Sequence, residues 1–367
     1  MNFFVILTPE CNLQCSYCHG KIWEEGEDCV SHEEVDCFLP LKIAYPIQKL
    51  TDFCSKDKQC NLLLNGGEPL LELDTLKEIM DNVPAKSFLL QTNGMLLDKL
   101  PVEYLKKLSG LQVSIDGDRK TTDGYRGSGV YDAVVRNVAA ARKSFSGELI
   151  ARMTVGEKTD IFRSVTHLLE LGIFDAVHWQ VDANFGPDYK RRSFAKWAKE
   201  SYNPGITKLV DWWLRNLERG KVYRIYPFLG VMQSLLSGEK SRLRCGAGWA
   251  HYAIQTDGNI VPCPVMAGMR KYYAGDLSSN PSRLKQFDVG GRCDSCGSRE
   301  LCGGRCLFAN VHGFWGKAGE DDVCGTVKHL LAELHRIQPA VVKLVSEKRL
   351  SFRELDYTEF NSCEIIP

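Results

Sequence analysis

"PECNLQCSYCHG", residues 9–20, carries three cysteines in C-x3-C-x2-C spacing: Cys11, Cys15 and Cys18. The stretch directly follows "FFVIL" (3–7), a short apolar run with the length and β-branched content of a buried strand. The thiols therefore fall on the loop at a strand's C-terminal end, the edge that carries chemistry in barrel-like α/β folds. Closed zinc sites and ordinary iron–sulfur clusters take four protein ligands. Three thiols leave one metal position for something else, unless His19 or a distant residue closes a zinc knuckle.

Further strand candidates follow at 61–65 ("NLLLN"), 87–91 ("SFLLQ"), 111–116 ("LQVSID"), 149–155 ("LIARMTV") and 176–182 ("AVHWQVD"). Between them lie amphipathic stretches such as "DAVVRNVAAARKSF" (132–145) and "IFRSVTHLLELG" (161–172). Alternation of this kind implies βα units on a parallel sheet, closed or partly closed as a barrel. "NGGEP" (65–69), "QTNG" (91–94) and "VSIDG" (113–117) each fall at a strand end on the same edge as the cysteines. Each alone reads as turn chemistry, but their order after the cysteine loop makes a pattern.

That pattern resembles the radical S-adenosylmethionine (SAM) enzymes, which place C-x3-C-x-aromatic-C, here ending Tyr17-Cys18, on three irons of a [4Fe–4S] cluster. The resemblance implies that the open iron takes SAM. It also implies that reductive cleavage gives a 5′-deoxyadenosyl radical that abstracts hydrogen from substrate. It places Gly66, Gly67 and Glu68 at the methionine amino group, with Thr92 and Asn93 beside them. Ser114 and Asp116 fall near the ribose and carboxylate, and Arg126, in "TTDGYRGSG", pairs with the SAM carboxylate. Arg152 is a weaker candidate for that pairing.

A second cysteine set comprises Cys245, Cys263, Cys293, Cys296, Cys302, Cys306 and Cys324, with "TDGNIVPC" reading as a hairpin turn before Cys263. By spacing alone it could be two zinc ribbons. Following a radical SAM motif it resembles the SPASM extension, which binds two auxiliary [4Fe–4S] clusters. The resemblance assigns Cys293, Cys296, Cys302 and Cys324 to the outer cluster and Cys245, Cys263 and Cys306 to the inner one. Relatives often supply a fourth inner ligand just before the position of Cys245. Here "LSGEKSRLR" has no cysteine, which leaves an open iron or a different ligand, such as Cys363 or a carboxylate. Of the other five cysteines, Cys29, Cys37, Cys54 and Cys60 read as small buried residues.

The fold expected is therefore α/β, a partial (β/α)6 radical SAM barrel with a C-terminal Cys-rich SPASM domain. The divisions are 1–189 (barrel), 190–240 (helical bridge), 241–326 (auxiliary clusters, with little core-forming sequence) and 327–367 (helical tail). The chain has 367 residues, and about 100–200 residues per domain makes two or more domains the expectation. Lys+Arg and Asp+Glu are 46 each, which gives no electrostatic case for nucleic acid or an anionic membrane. No apolar run approaches the roughly 18 residues of a membrane span. The N-terminus lacks a basic n-region, so no signal peptide is expected, and the 15 cysteines point to metal or catalytic use in the cytoplasm.

The resemblance makes a precursor peptide the expected substrate, a thioether or other crosslink the expected product, and a flavodoxin- or ferredoxin-type protein the electron donor. A separate leader-binding protein is a further expected partner, since Cys11 leaves no room before it for a leader-gripping module. The alternatives are a sulfatase-type formylglycine-generating maturase, a small-molecule radical SAM enzyme, and a non-enzymatic zinc or electron-transfer protein, against which "NGGEP" argues. Asp182, Asp276 and Glu320 are the carboxylate candidates for a substrate base. Asn65, just before the glycine pair, is a candidate to face substrate.

Overall fold

The computed structural model describes residues 1–18, 35–36, 38–182 and 189–359. The chain forms two compact units: Met1–Ile115 with Thr122–Ile150 and Gly246–Asp288, and Asp116–Thr121 with Ala151–Cys245 and Val289–Pro367. Strand–helix alternation along the chain makes the fold α/β, as the sequence pattern implies.

The first unit is built on β1 (Asn2–Ile6), β2 (Asn61–Asn65), β3 (Ser87–Thr92) and β4 (Leu108–Ser114). They are parallel neighbours in chain order, with Phe3 opposite Leu62, Leu62 opposite Phe88, and Leu90 opposite Leu111. Phe3, Leu62, Leu90 and Leu111 are wholly buried, as strands covered by crossover helices must be. Helix Ile47–Ser55 buries Ile47, Leu50, Phe53 and Cys54, the spacing of one helical face. Phe53 meets Phe3 edge to face at 5.0 Å. Each such side chain contributes about 1.5–3 kcal/mol by leaving water. Helix Val130–Arg142 does the same with Val130, Val134 and Val138.

Strand β5 (Glu148–Val155) runs from the first unit into the second, which also holds β6 (Ala176–Val181) and the short parallel β7 (Arg224–Ile225). Residues 190–240 are mainly helical as expected, with helices Asn203–Leu217 and Tyr226–Ser237. Their tryptophans are core: Trp213 packs on Phe228 at 5.6 Å, and Trp179 of β6 donates to the Tyr202 hydroxyl at 2.9 Å. The C-terminal helix is longer than its sequence pattern, running Gly316–Ser346 and carrying Cys324 within it.

The structure corrects one expectation. The segment after Cys245 has little core-forming pattern in its sequence, yet β8 (His251–Ile254) is buried along its whole length and pairs in parallel with β1, Asn2 opposite His251. His251 stacks on Phe4 at 4.1 Å. A strand of only four residues carries too little pattern to be read alone, and β1 supplies the missing partner. β9 (Asn259–Val261) returns antiparallel through the hairpin foreseen at Gly258, whose φ of +92° suits glycine. β10 (Gly275–Asp276) pairs antiparallel with β9. Among the described residues no helix is long and apolar enough to cross a membrane.

Candidate active site

The loops after β1 and β2 zip together beyond the strand ends. Leu7 N–H donates to the Asn65 carbonyl at 2.9 Å, Gly67 N–H to Thr8 at 2.8 Å, and Glu68 N–H to Glu10 at 2.8 Å. Backbones this close leave no room for side chains. A Cβ on Gly66 would strike the Thr8 carbonyl oxygen, and one on Gly67 the carbonyl oxygens of Pro9 and Glu10. The glycine pair thus seats the chain that leads directly into Cys11, a reason for the glycines beyond approach to a ligand.

Glu68 ties β2 to β3. Its side chain is wholly buried. It accepts hydrogen bonds from Leu70 N–H at 3.0 Å, the Thr92 hydroxyl at 2.8 Å and Asn93 N–H at 2.7 Å. Burial pushes its carboxyl above the ordinary range, and the Asn93, Thr92 and Leu70 donors pull it back. The Asn93 amide, held in place this way, donates to Asn12 Oδ1 at 2.7 Å and reaches Cys11 Sγ at 3.6 Å. Leu13 N–H lies 3.4 Å from the same sulfur. Behind it, Asn137 donates to the carbonyls of Gly94 and Met95 at 3.0 and 3.1 Å, fixing the turn after β3. Sequence reasoning missed Asn137. Its signal was a polar residue on the apolar face of "VVRNVAAA".

On the other side of the cysteine loop, Ser16 N–H donates to the Tyr125 carbonyl at 2.9 Å. The Tyr17 and Tyr125 rings lie 5.3 Å apart, and the Arg126 guanidinium stands 5.4 Å from the Tyr17 ring centroid. Arg126 is only 7% exposed, so it is no solvated loop charge. Cys15 is buried while Cys11 and Cys18 are exposed. Of the residues named from sequence, Cys11, Tyr17, Gly67, Glu68, Thr92, Asn93 and Arg126 come together here. Ser114 ends β4, half-buried. Asp116 belongs to the second unit, where its carboxylate is wholly buried and accepts from Thr154 N–H at 2.9 Å. Arg152, also there, donates to Gln180 at 3.1 Å.

In the second unit, Cys293, Cys296 and Cys324 line a cavity of about 330 Å³ together with Arg292 and Lys328. Burial pushes the Cys293 thiol up, and so does the nearness of Cys302, Cys324 and Cys296. Thiolates gathered around one cavity are a donor set for a cationic cluster, which would draw off their protons. Among the described residues, no group of His, Cys, Asp or Glu side chains closes on a single-ion site. The thiols here are spread around a cavity.

Asn310 donates toward Cys293 Sγ at 3.4 Å, a contact not read from sequence. Arg305, in the left-handed region at φ +60°, shapes the turn between Cys302 and Cys306. Ser241 and Leu243 pair with Glu300 and Gly303 through 2.6 Å backbone bonds. The buried Arg244 clamps the carbonyls of Leu301 (2.7 Å) and Gly230 (2.9 Å). The cysteine-free stretch before Cys245 is therefore an anchor that lays Cys245 alongside the Cys302 loop. Cys263, just past β9, lies in the first unit.

The three base candidates all have local partners. Asp182 accepts from Arg192 at 3.1 Å, and Arg192 also grips Glu157 at 2.6 and 2.7 Å. Glu320 braces Arg305 at 3.2 Å. Asp276 is exposed and accepts from Ser278 and Ser279, which hold its carboxyl below the usual range. Cys29, Cys37 and Cys363 lie outside the described residues.

Residues 3–126 match the family described as a 4Fe-4S single cluster domain, which covers the cysteine loop and Arg126. An uncharacterized protein of Archaeoglobus fulgidus is 26% identical over 320 residues, 82% of this chain and 72% of its own length. A probable GTP 3′,8-cyclase of Methanococcus vannielii is 35% identical over 121 residues, 31% of this chain and 36% of that protein. This chain thus spans only about a third of the cyclase. Native anSMEcpe, solved with bound AdoMet and the Cp18Cys peptide, superposes with a TM-score of 0.71 at 18% identity, covering 94% of this chain and 99% of that one. The chain shares the fold of this protein. Streptococcus suis SuiB, bound to its precursor peptide SuiA, gives a TM-score of 0.56 at 14% identity, over 87% of this chain and 75% of SuiB. The fold is the α/β fold of these solved structures, with a Cys-rich C-terminal region, and the match over residues 3–126 supports an iron–sulfur cluster at the cysteine loop.

Proposed function

We propose that this chain is a radical SAM enzyme that modifies a ribosomally made peptide, most directly by forming a thioether or other crosslink. One observation carries the reading: the likeness to proteins solved with bound peptides runs through the barrel and on through the second cysteine region, 94% of the chain. The reading gives the chain three [4Fe–4S] clusters and a cytoplasmic setting. It also gives it a flavodoxin- or ferredoxin-type reductant and a separate protein to hold the leader.

When bound, the first cluster with SAM supplies a 5′-deoxyadenosyl radical for hydrogen abstraction. The chain's own residues bind and orient. Cys11, Cys15 and Cys18 hold three irons, and Asn93 aims the Cys11 sulfur. Gly66 and Gly67 bring backbone to the methionine end, where Glu68 and Thr92 fix the floor. Arg126, backed by the Tyr17 ring, meets the SAM carboxylate. Ser114 and Asp116 serve the ribose side. Cys293, Cys296, Cys302 and Cys324 hold the outer auxiliary cluster, and Cys245, Cys263 and Cys306 the inner one, with an open position. An open position there suits a substrate thiolate and makes carbon–sulfur bonding a matter of proximity.

Anaerobically reconstituted protein is expected to hold about twelve irons and matching sulfide, four per cluster. With dithionite and SAM it is expected to release 5′-deoxyadenosine. Zinc-loaded protein lacking sulfide would sink both the cluster and the enzyme readings. For the thioether, a cysteine-containing synthetic precursor is expected to perturb the electron paramagnetic resonance signal of the inner cluster, whereas its serine counterpart does not. An unchanged spectrum removes the thiolate-binding role. A product carrying formylglycine in place of Cys or Ser would transfer the assignment to a formylglycine-generating maturase.

A further inference from the structure

Two described cysteines stand outside both cluster sets. Cys54 lies in the last turn of helix Ile47–Ser55, and Cys60 immediately precedes β2. Their sulfurs are 3.0 Å apart, and the residues are 1% and 0% exposed. That separation is inside ordinary sulfur–sulfur contact and outside the roughly 2.05 Å of a disulfide bond. A tight turn holds it. Asp57 N–H donates to the Cys54 carbonyl at 3.0 Å, Cys60 N–H to the Asp57 carbonyl at 2.9 Å, and Gln59 N–H to the Asp57 carboxylate at 2.9 Å. The turn keeps the two thiols facing each other. The hydrogen bond with Cys60, and burial after it, both keep the Cys54 thiol protonated while the turn is closed.

We propose that Cys54 and Cys60 form a reversible dithiol–disulfide site, separate from the iron–sulfur ligands, that exchanges with low-molecular-weight disulfides. Lys56, Lys58 and Gln59 are exposed, so local opening of this turn brings Cys60 to solvent first. Its thiolate attacks one sulfur of the small disulfide, which forms a mixed disulfide and releases one thiol. While the turn is still open, the Cys54 thiolate attacks the Cys60 sulfur of the mixed disulfide and displaces the second small thiol, and the turn then closes over the new bond. In total, two protein thiols and one small disulfide become one protein disulfide and two small thiols, so the two electrons leave with the small thiols. The bond joins the end of a helix to the start of β2, the opposite end of that strand from Gly66 and Glu68.

The experiment uses cluster-loaded protein, held anaerobically with oxidised glutathione, quenched with acid and alkylated. Trypsin cuts after Lys49, Lys56, Lys58 and Lys77, so the disulfide would join peptides 50–56 and 59–77. The linked pair is expected to rise at least about tenfold over a dithiothreitol control, at unchanged iron content, and to vanish again on reduction. Cys54→Ser is expected to leave Cys60 as a glutathione mixed disulfide. Separate alkylation of both cysteines in oxidised parent protein would overturn the proposal, as would linkage of either one to Cys11 or another cluster ligand. Both readings come from the parent chain, so a variant that folds poorly leaves the test intact.

Discussion

Replacing Cys15 with alanine is expected to abolish reductive SAM cleavage and to leave the iron of the C-terminal cysteines in place. Cys15 is the buried member of its trio, and its carbonyl accepts from Cys18 N–H at 3.1 Å, closing the turn that carries both sulfurs. Without its thiolate, two exposed sulfurs would remain on the loop, too few to hold the proposed three-ligand cluster. The release of 5′-deoxyadenosine is expected to fall by more than about 100-fold, beyond the roughly 10–100-fold that loss of a mere partner to a ligand costs. Iron is expected to drop from about twelve to about eight per chain, four for each remaining cluster. The seven downstream cysteines are not on this loop, so the electron paramagnetic resonance signals of the clusters proposed there are expected to persist. Parent-level 5′-deoxyadenosine from the variant would refute the ligand assignment.

Glu68→Ala is expected to destabilise the fold and to weaken SAM binding together. The Glu68 carboxylate is the shared acceptor for Leu70 N–H, the Thr92 hydroxyl and Asn93 N–H, all of them buried. A buried donor left without an acceptor costs about 1–3 kcal/mol, so losing three at once is expected to cost on the order of 3 kcal/mol or more, read by urea unfolding. The second effect follows from Asn93, whose side chain orients Cys11 Sγ and Asn12. Glu68→Gln keeps one carbonyl oxygen but turns an amide N–H toward a donor, so it is expected to fall between parent and Ala. Unfolding free energies that agree within about 0.5 kcal/mol, the range of an ordinary surface substitution, would show that the carboxylate does not join the two strand ends.

Much of the site was legible because its chemistry is local in sequence. The spacing of Cys11, Cys15 and Cys18 after a strand is fixed by covalent geometry, and so are "NGGEP" and "QTNG" after the next two. Strand-end loops on one edge of a parallel sheet must gather, so Glu68, Thr92, Asn93 and Cys11 meet as their order suggested. Arg126 was legible as a residue type, but only its burial against Tyr17 distinguished it from a surface charge. The base candidates were less legible. A carboxylate's role depends on what faces it, and Arg192, Arg305 and the serines after Asp276 come from turns and pairings that spacing does not encode.

By itself, the sequence determined the α/β alternation, the cysteine loop after the first strand and the glycine pair beside it. Each of these depends on short-range spacing or on periodicity. Tertiary structure alone decided that His251–Ile254 completes the sheet beside β1, that Arg244 anchors the stretch before Cys245, that Asn137 holds the Asn93 turn, and that Cys54 faces Cys60. These contacts depend on where buried surfaces meet. A four-residue strand or a single buried arginine is stable only when a distant partner satisfies its hydrogen bonds, and that requirement becomes visible only once the chain is folded.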